Sequence, residues 1–333
     1  MFHAPITRKE MWRRTVLLIL FTSLITAVLL FVILDLKVTA EVNLVKENLK
    51  KIEKTKECRT CNLFGADLQQ VDLQQVDLQE ANLHKANLKG VNLKRANLKD
   101  VDLFAADLRK ANLKGANLEK ANMHQINLEQ SNLQLANLRE TNLYRANMQE
   151  ANLQGADLFG AELGEAKLQK AIFRDANLQN VDLFAADLRK SNLQGANLQE
   201  VDFYKADLEF ANLQGANLQS SNLQRANLVG ANLVGANLVG ANLQGTDLQR
   251  TDLRSANLHR ANLQGANLHR ANLQGANLRN ANLQEAILRN INLQGTDFQG
   301  SVIQGAQFQG TKFKGAIWVN GKKCRDSLGQ CLQ

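Results

Sequence analysis

The chain has 333 residues, with 4 Cys, 1 Pro, 5% aromatic residues and a formal net charge of +8. The charge is uneven: residues 1–60 carry +5, residues 61–320 carry only +1, and residues 321–333 carry +2. A central region this close to neutral disfavours an acidic polymer mimic and gives nucleic acid no net attraction there.

The N-terminus reads as a short basic segment, residues 1–14, followed by a transmembrane helix over 15–36. The stretch from Thr15 to Leu34 has twenty residues and no charge, which as a helix spans about 30 Å, the thickness of a bilayer core. The basic residues before it predict a cytoplasmic N-terminus and a chain exported to a periplasm or lumen. Lys37, Lys46, Lys50 and Lys51 follow the span and leave the opposite topology open. A signal cleaved after Ala40, with secretion of the rest, is the alternative.

Residues 37–60 form the next predicted element, an amphipathic linker or capping helix. Its apolar residues follow spacings of 4, 3, 4 and 3, typical of one helical face: Val38, Val42, Val45, Leu49 and Ile52. This face predicts a plug over the element that follows. A short parallel coiled coil that dimerises the protein is the alternative.

Residues 61–320 are 52 consecutive pentads, shown most clearly by ANLVG ANLVG ANLVG ANLQG at 226–245. Position 1 is small or β-branched, position 2 is mostly Asn or Asp, and position 3 is Leu or another large apolar residue. A period of five fits neither a helical face nor a straight strand. It fits a chain that turns a corner in every pentad, with positions 1 and 3 inward, position 2 facing water, and positions 4 and 5 in the turn. Four corners close a coil of twenty residues, which predicts an all-β solenoid of about 13 parallel coils, roughly 60 Å long.

This pattern resembles the pentapeptide-repeat family, whose consensus is A(D/N)LXX. The resemblance covers Cys61 to Asn320 and implies a right-handed quadrilateral parallel β-helix. In the last coils, larger inward residues are predicted to close the core: Phe298, Ile303, Phe308, Phe313 and Trp318. Residues 321–333 form a Cys-containing tail that is similar to the C-terminal extension of many family members.

Two cysteine pairs flank the repeat, Cys58 with Cys61 and Cys324 with Cys331. The predicted length of the solenoid separates the pairs, which excludes a single four-cysteine zinc site. In an oxidising compartment each pair is expected to form a disulfide. A buried free thiol at Cys61 is the alternative.

Residues twenty apart should lie on one face of the solenoid, and one such column is rich in aromatic residues and histidine. We call it the aromatic strip: Phe64, His84, Phe104, His124, Tyr144, Phe184 and Tyr204. Position 164 is Gly, and from Gln224 to Gln304 the column is Gln throughout. The strip predicts either a stacked ladder that stiffens the solenoid or a partner-binding surface.

The sequence suggests no enzyme: it has no nucleophile–base pair, phosphate loop or metal-ligand cluster, and no cofactor is expected. The function indicated is a membrane-tethered scaffold, with one membrane span and an unidentified protein or envelope partner. Some members of the resembled family mimic DNA and inhibit type II topoisomerases. The nearly neutral repeat and the membrane span disfavour that alternative, and interleaved Asp residues make nucleic-acid binding an unfavoured reading.

Overall fold

A computed structural model describes residues 8–69, 71–325 and 331 of the chain. It divides into two compact units, Met1–Lys50 and Lys51–Gln333. Each unit is described by itself below.

The described part of the first unit is helical. Helix α1 runs without a break over Arg8–Thr55 and so enters the second unit with its last residues. The two helical segments expected at 15–36 and 37–60 therefore belong to one helix that ends before residue 60, since neither Pro nor Gly interrupts it. Its stretch Ile19–Thr55 is long and apolar enough to cross a membrane, with a mean hydropathy of 2.6 in its most apolar window. A secretion signal near the N-terminus passes the same test of length and composition.

The end of α1 belongs to the second unit. Lys56 adopts a positive φ of 55°, and its N–H donates to the carbonyl of Ile52 over 2.9 Å, as at many helix C-termini. Ile52 is fully buried. The apolar face of α1 is exposed at Val38 and Val42, half-buried at Val45 and Leu49, and buried only at Ile52.

The second unit is a stack of coils held by parallel bridges between residues twenty apart, from Glu57–Asp77 to Asp297–Ile317. The bridge residue is position 2 of each pentad, and positions 4 and 5 form the turn. One coil is thus four sides and four corners. The stack begins one pentad earlier than residue 61, because residues 56–60 already pair with the coil above.

Every N–H of a typical pentad has a partner, as residues 81–85 illustrate. The N–H of Asn82 donates to Cys61 O in the coil below (2.8 Å), and that of Leu83 donates to Asp102 O in the coil above (2.7 Å). Position 5 also donates to the coil above, and position 1 of the next pentad donates back across the turn. Position 4 lacks a backbone acceptor, and its N–H goes to the side-chain oxygen of position 2.

The role of position 2 differs from the water-facing one expected. Its Asn and Asp side chains are mostly half-buried, and their oxygens accept the N–H two residues later, for example from Arg139 to Asn137 (3.2 Å). Asn side chains also donate to the same position one coil below, as Asn137 does to Asn117 (2.9 Å). We call this column of linked amides and carboxylates the Asn ladder. It satisfies backbone groups that would otherwise be unpaired.

The core consists of positions 1 and 3. From Leu63 to Leu293 the position-3 side chains are at most 1% exposed, and nearly all position-1 residues are buried too. The turn residue at position 5 has positive φ in nearly every pentad, whether it is Gly or not; Lys85 has 56° and Gly90 has 69°. A negative φ followed by a positive one is the pattern of a type II turn, in which glycine is favoured but not obligatory.

The last coil departs from the pattern. Position 2 is Val302, Gln307, Lys312 and Ile317 on its four sides, so the Asn ladder ends there. Phe298, Phe313 and Trp318 are buried, and the rings of Phe298 and Phe313 each contact Trp318. Ile303 and Phe308 are only half-buried. The tail turns back over one side, since Lys323 bridges Ile317 in antiparallel fashion and Cys324 N–H donates to Ala316 O (2.7 Å).

Candidate functional site

The aromatic strip occupies position 4 of the pentads on one side of each coil. The Asn ladder fixes its backbone, because each strip N–H donates to the position-2 oxygen of its own pentad: His84 to Asn82 (3.1 Å) and Tyr204 to Asp202 (2.9 Å) are examples. The strip side chains therefore leave the backbone at equivalent points, one coil apart.

Five members of the strip form one continuous stack. Ring centroids are separated by 5.3 Å from Phe64 to His84, 4.7 Å to Phe104, 5.2 Å to His124 and 5.6 Å to Tyr144. The last three rings lie nearly parallel, with interplanar angles of 11° and 21°. Because the rings of Phe104, His124 and Tyr144 lie face to face, this part of the stack presents mainly ring edges to solvent.

Gly164 interrupts the strip, and the ring of Tyr144 leans over it. A Cβ at position 164 would lie only 3.0 Å from Tyr144 Cδ2, and Gly164 is itself buried. The Tyr144 hydroxyl donates to Glu165, whose other carboxylate oxygen accepts from Arg145 Nε at 2.8 Å. Arg145 and Tyr144 hold the pKa of Glu165 below its usual value, and donation to Glu165 raises the pKa of Tyr144.

Above the interruption, Phe184 and Tyr204 form a second, shorter stack with centroids 6.0 Å apart. The Tyr204 hydroxyl accepts a hydrogen bond from Arg225 (3.3 Å), and the Lys205 ammonium lies 5.2 Å from the Tyr204 ring centroid. The structure thus brings the seven predicted residues together as two stacks rather than one.

The strip is apolar in character and only partly covered. Phe64 at its lower end is 49% exposed and the other six members are half-buried. The Nε2 atom of His84 is buried without a hydrogen-bond partner in the described chain. A surface of apolar edges with hydroxyl and charged groups at its margin is suited to protein contact.

Three further apolar side chains on other corners were not anticipated from the sequence. Leu135 and Phe210 are 65% and 53% exposed, and each lies over a glycine one coil later, Gly155 and Gly230. The guanidinium of Arg139 lies over the ring of Phe159, 4.5 Å from its centroid. The sequence signal that identifies Leu135 and Phe210 is a large apolar residue in a turn, twenty positions before a glycine.

Several charged corner residues pair across adjacent coils. Examples are Lys99 with Glu119 (3.0 Å) and Lys170 with Glu150 (2.8 Å). The lysine is the main cause that lowers the glutamate pKa in both pairs. All four side chains are substantially exposed, so each pair contributes little to stability.

Both cysteine pairs are joined in the structure, Cys58 to Cys61 and Cys324 to Cys331. All four residues are buried, and Cys58 takes the inward position 3 of the first pentad. Within the described residues, no group of His, Cys, Asp and Glu side chains is arranged to hold a metal ion.

Two family models match the chain. The model of pentapeptide repeats matches in 8 copies over residues 61–100, 96–134, 202–238, 211–250, 236–275 and 276–315. The model of a pentapeptide repeat region matches residues 126–203. Neither describes a catalytic domain, and among curated proteins none matches the chain.

Several solved structures are similar. HetL from the cyanobacterium Nostoc sp. strain PCC 7120, a protein involved in heterocyst differentiation regulation, is 33% identical over 70% of this chain and 92% of its own, with a TM-score of 0.41. Rfr23 from Cyanothece 51142 is 45% identical over 31% of this chain and 63% of its own, with a TM-score of 0.24. AT2G44920 from the Arabidopsis thaliana thylakoid lumen is 29% identical over 37% and 65%, with a TM-score of 0.22. These TM-scores are low, so the coil geometry above rests on this chain's own contacts.

Proposed function

This chain belongs to the pentapeptide-repeat family, and we propose that it is a non-enzymatic, membrane-tethered scaffold. Members of this family fold as right-handed quadrilateral β-helices. The proposed scaffold is such a rod of about 13 coils, and its aromatic strip is the surface that binds a protein or envelope partner.

The observation that carries this proposal is the restricted extent of the strip. The buried positions and the Asn ladder continue through nearly all coils, whereas the strip occupies one corner and stops at Tyr204. Beyond it, Gln224 to Gln304 take the same position, and the backbone bonds between coils stay the same length. The coils therefore form equally well without the rings, and a stiffening role alone gives no reason for this distribution.

The strip also has the composition of a binding surface. Its half-exposed ring edges lie beside Lys85, Arg145 and Lys205 on one flank, which supplies a polar margin to an apolar centre. Aromatic side chains bury large areas with little loss of rotamer freedom, and they dominate the energetics of many interfaces.

The test is recovery of partners from solubilised native membranes by the full chain and by Phe104→Gln/Tyr144→Gln/Phe184→Gln. The matched control is Lys114→Ala/Gln154→Ala/Gln194→Ala, three substitutions at the same levels of the opposite corner. We expect the strip variant to lose a specific partner that the control retains. Equal recovery by the two variants would refute the strip as the binding surface.

Helix α1 supplies the tether in this proposal, with the N-terminus cytoplasmic and the β-helix on the exported side. Intact mass of the mature chain and protease protection in sealed vesicles test it. A mature chain that begins at Glu41 would replace the anchor with a cleaved signal and secretion. The exposed Val38 and Val42 leave dimerisation through α1 as a further part of the proposal, measured by cross-linking in the membrane.

The alternative is a DNA-mimic inhibitor of a type II topoisomerase. A net charge of +1 over residues 61–320 does not favour it, since a mimic of DNA needs a dense negative surface. Inhibition of topoisomerase supercoiling by the full chain would favour this alternative over the scaffold.

A further inference from the structure

The two stacks of the aromatic strip differ in the charge of the side that carries them. The lower stack, Phe64 to Tyr144, lies on five pentads, from 61–65 to 141–145, with one acidic and two basic residues, a net charge of +1. The upper stack, Phe184 and Tyr204, lies with the interrupting Gly164 on pentads 161–165, 181–185 and 201–205. These three have four acidic residues and one basic residue, a net charge of −3. The two parts of the strip are therefore suited to different groups of a partner.

Three of the four acidic residues occupy position 2 in consecutive coils. Parallel bridges join Glu162 to Asp182 and Asp182 to Asp202, so the three carboxylates lie on one side of the β-helix, one coil apart. The fourth, Glu165, is paired with Arg145. Nowhere else in the repeat do three consecutive coils place carboxylates at position 2 of the same side. Because like charges on adjacent rungs repel, and Asn would donate to the coil below, stability alone does not account for them.

Phe184 has a ring face against which no other ring of the strip stacks. The residue one coil below it is Gly164, and among the described residues its ring stacks only on Tyr204. Asp182 Oδ1 accepts the N–H of Phe184 at 2.8 Å. Its Oδ2 lies 3.7 Å from the place that a Cβ of Gly164 would take. An aromatic face beside a carboxylate is a favourable environment for a cation.

The rings on either side of this place already receive cations from the chain itself. The guanidinium of Arg145 lies 5.1 Å from the ring centroid of Tyr144. The ammonium of Lys205 lies 5.2 Å from the ring centroid of Tyr204. Within the described residues, no Lys or Arg lies over Phe184 in the same way. A basic side chain from outside the chain would complete the series and face the three carboxylates.

We propose that the upper stack binds a Lys or Arg side chain of a protein partner, while the lower stack receives apolar residues of the same segment. This inference rests on the proposed function of the strip and names the chemistry of its partner. A metal ion fits less well, since no group of side chains in the described parts of the chain is arranged to hold one. A nucleic acid would be repelled by the net charge of −3.

The experiment measures binding of a labelled short peptide, in which Leu and Arg alternate, to the full chain in phosphatidylcholine nanodiscs. A second peptide has citrulline in place of each Arg, which keeps the shape and removes the charge. Fluorescence anisotropy gives both affinities. The wild type should bind the Arg peptide about tenfold more tightly than the citrulline peptide, and this preference should weaken as salt is raised.

The test variant is Glu162→Asn/Asp182→Asn/Asp202→Asn, which places the usual residue of the Asn ladder at all three positions. The matched control, Asp67→Asn/Asp247→Asn/Asp297→Asn, removes the same charge from position 2 on other sides of the β-helix. An exposed ion pair contributes up to about fivefold to affinity. The test variant should therefore bind the Arg peptide about tenfold more weakly, and the control less than about twofold.

A pair of ring variants tests the aromatic part of the site. Phe184→Gln should lower the preference for Arg over citrulline by about threefold or more, because it removes the ring face that receives the cation. Phe64→Gln removes a ring from the other end of the strip and should leave this preference unchanged. Unchanged thermal unfolding of all variants shows that they remain folded.

Equal binding of the two peptides by the wild type would overturn the inference, as would equal losses in the acidic test variant and its control. Displacement of the Arg peptide by calcium, at concentrations where sodium at the same ionic strength has no effect, would also overturn it and make the carboxylates a metal site.

Recovery of partners from solubilised membranes separates this inference from the proposed function. Glu162→Asn/Asp182→Asn/Asp202→Asn should lose the partner that Phe104→Gln/Tyr144→Gln/Phe184→Gln loses. If only the ring variant loses it, the strip binds its partner without the cation, and this inference alone fails. If both variants retain every partner, the proposed function itself fails.

Discussion

The inward leucine columns and the aromatic strip share a period of twenty residues, but only the leucine columns extend through nearly the whole β-helix. Leucine fills nearly all of the inward position-3 sites from Leu63 to Leu293, and these side chains are excluded from water. The strip is half-exposed, is broken at Gly164 and ends at Tyr204. The difference indicates that stability belongs to the interior and the Asn ladder, while the corners are free to carry recognition. The predictions below test this division.

The largest loss of stability is expected from a substitution in the core. Leu228→Asp places a carboxylate in a position with no exposed surface, and it should cost more than about 4 kcal/mol because the cavity and the unpaired charge both destabilise. Val229→Asp changes only the neighbouring half-buried corner residue and should lower the free energy of unfolding by less than about 1 kcal/mol. Thermal and denaturant unfolding measure both variants. Similar losses would mean that the assignment of inside and outside is wrong.

The disulfides at the two ends of the β-helix should have the next largest effect on stability. Cys58–Cys61 and Cys324–Cys331 are expected as disulfides in protein from an oxidising compartment, and each should stabilise its end by about 2 kcal/mol. Peptide mapping without reductant identifies the pairs, and unfolding with and without reductant measures their effect. Free thiols in protein taken from its native compartment would contradict the proposed exported location.

The Asn ladder should contribute about 1 kcal/mol at each rung. Asn137→Ile removes the acceptor of the Arg139 N–H and the donor to Asn117, and should destabilise. Ile172 lies in the ladder between Asn152 and Asn192. Ile172→Asn restores an acceptor for Arg174 and should stabilise by a similar amount. Unfolding free energies of the two variants should therefore change in opposite directions, and a change in the same direction would refute the role of the ladder.

Lowering the pH should reduce the stability of the folded state only slightly through exposed carboxylates such as Glu165. Arg145 and Tyr144 lower its pKa in the folded state, so its contribution is present at neutral pH and is lost as the pH falls through that folded-state value. The unfolding midpoint of Glu165→Gln should lie slightly below wild type at pH 7, and the gap should close below about pH 4. A gap that persists in acid would mean that the charge of Glu165 is irrelevant.

Much of this architecture follows from the sequence because a strict period of five permits few conformations. It places Leu and Ala inside and explains why residues such as Phe104 and His124 stack. The hydrogen-bonding role of Asn137 could not be predicted from the sequence, since a polar residue between two apolar ones indicates a side chain that faces solvent. The first pentad was missed because Cys58 and Glu57 replace the usual Leu and Asn. The contact of Tyr144 with Gly164 depends on the tilt of one ring, which no periodicity specifies.

The most direct test of the division between interior and strip is the thermal unfolding of Phe104→Gln/Tyr144→Gln/Phe184→Gln. Gln pairs already bond to each other at this position farther along, where Gln224 Nε2 donates to Gln244 Oε1 over 2.6 Å. We therefore expect the midpoint to stay within about 5 °C of wild type, with an unchanged cooperative transition. A fall of more than about 10 °C would show that the rings hold the coils together, and would contradict the assignment of the strip to recognition.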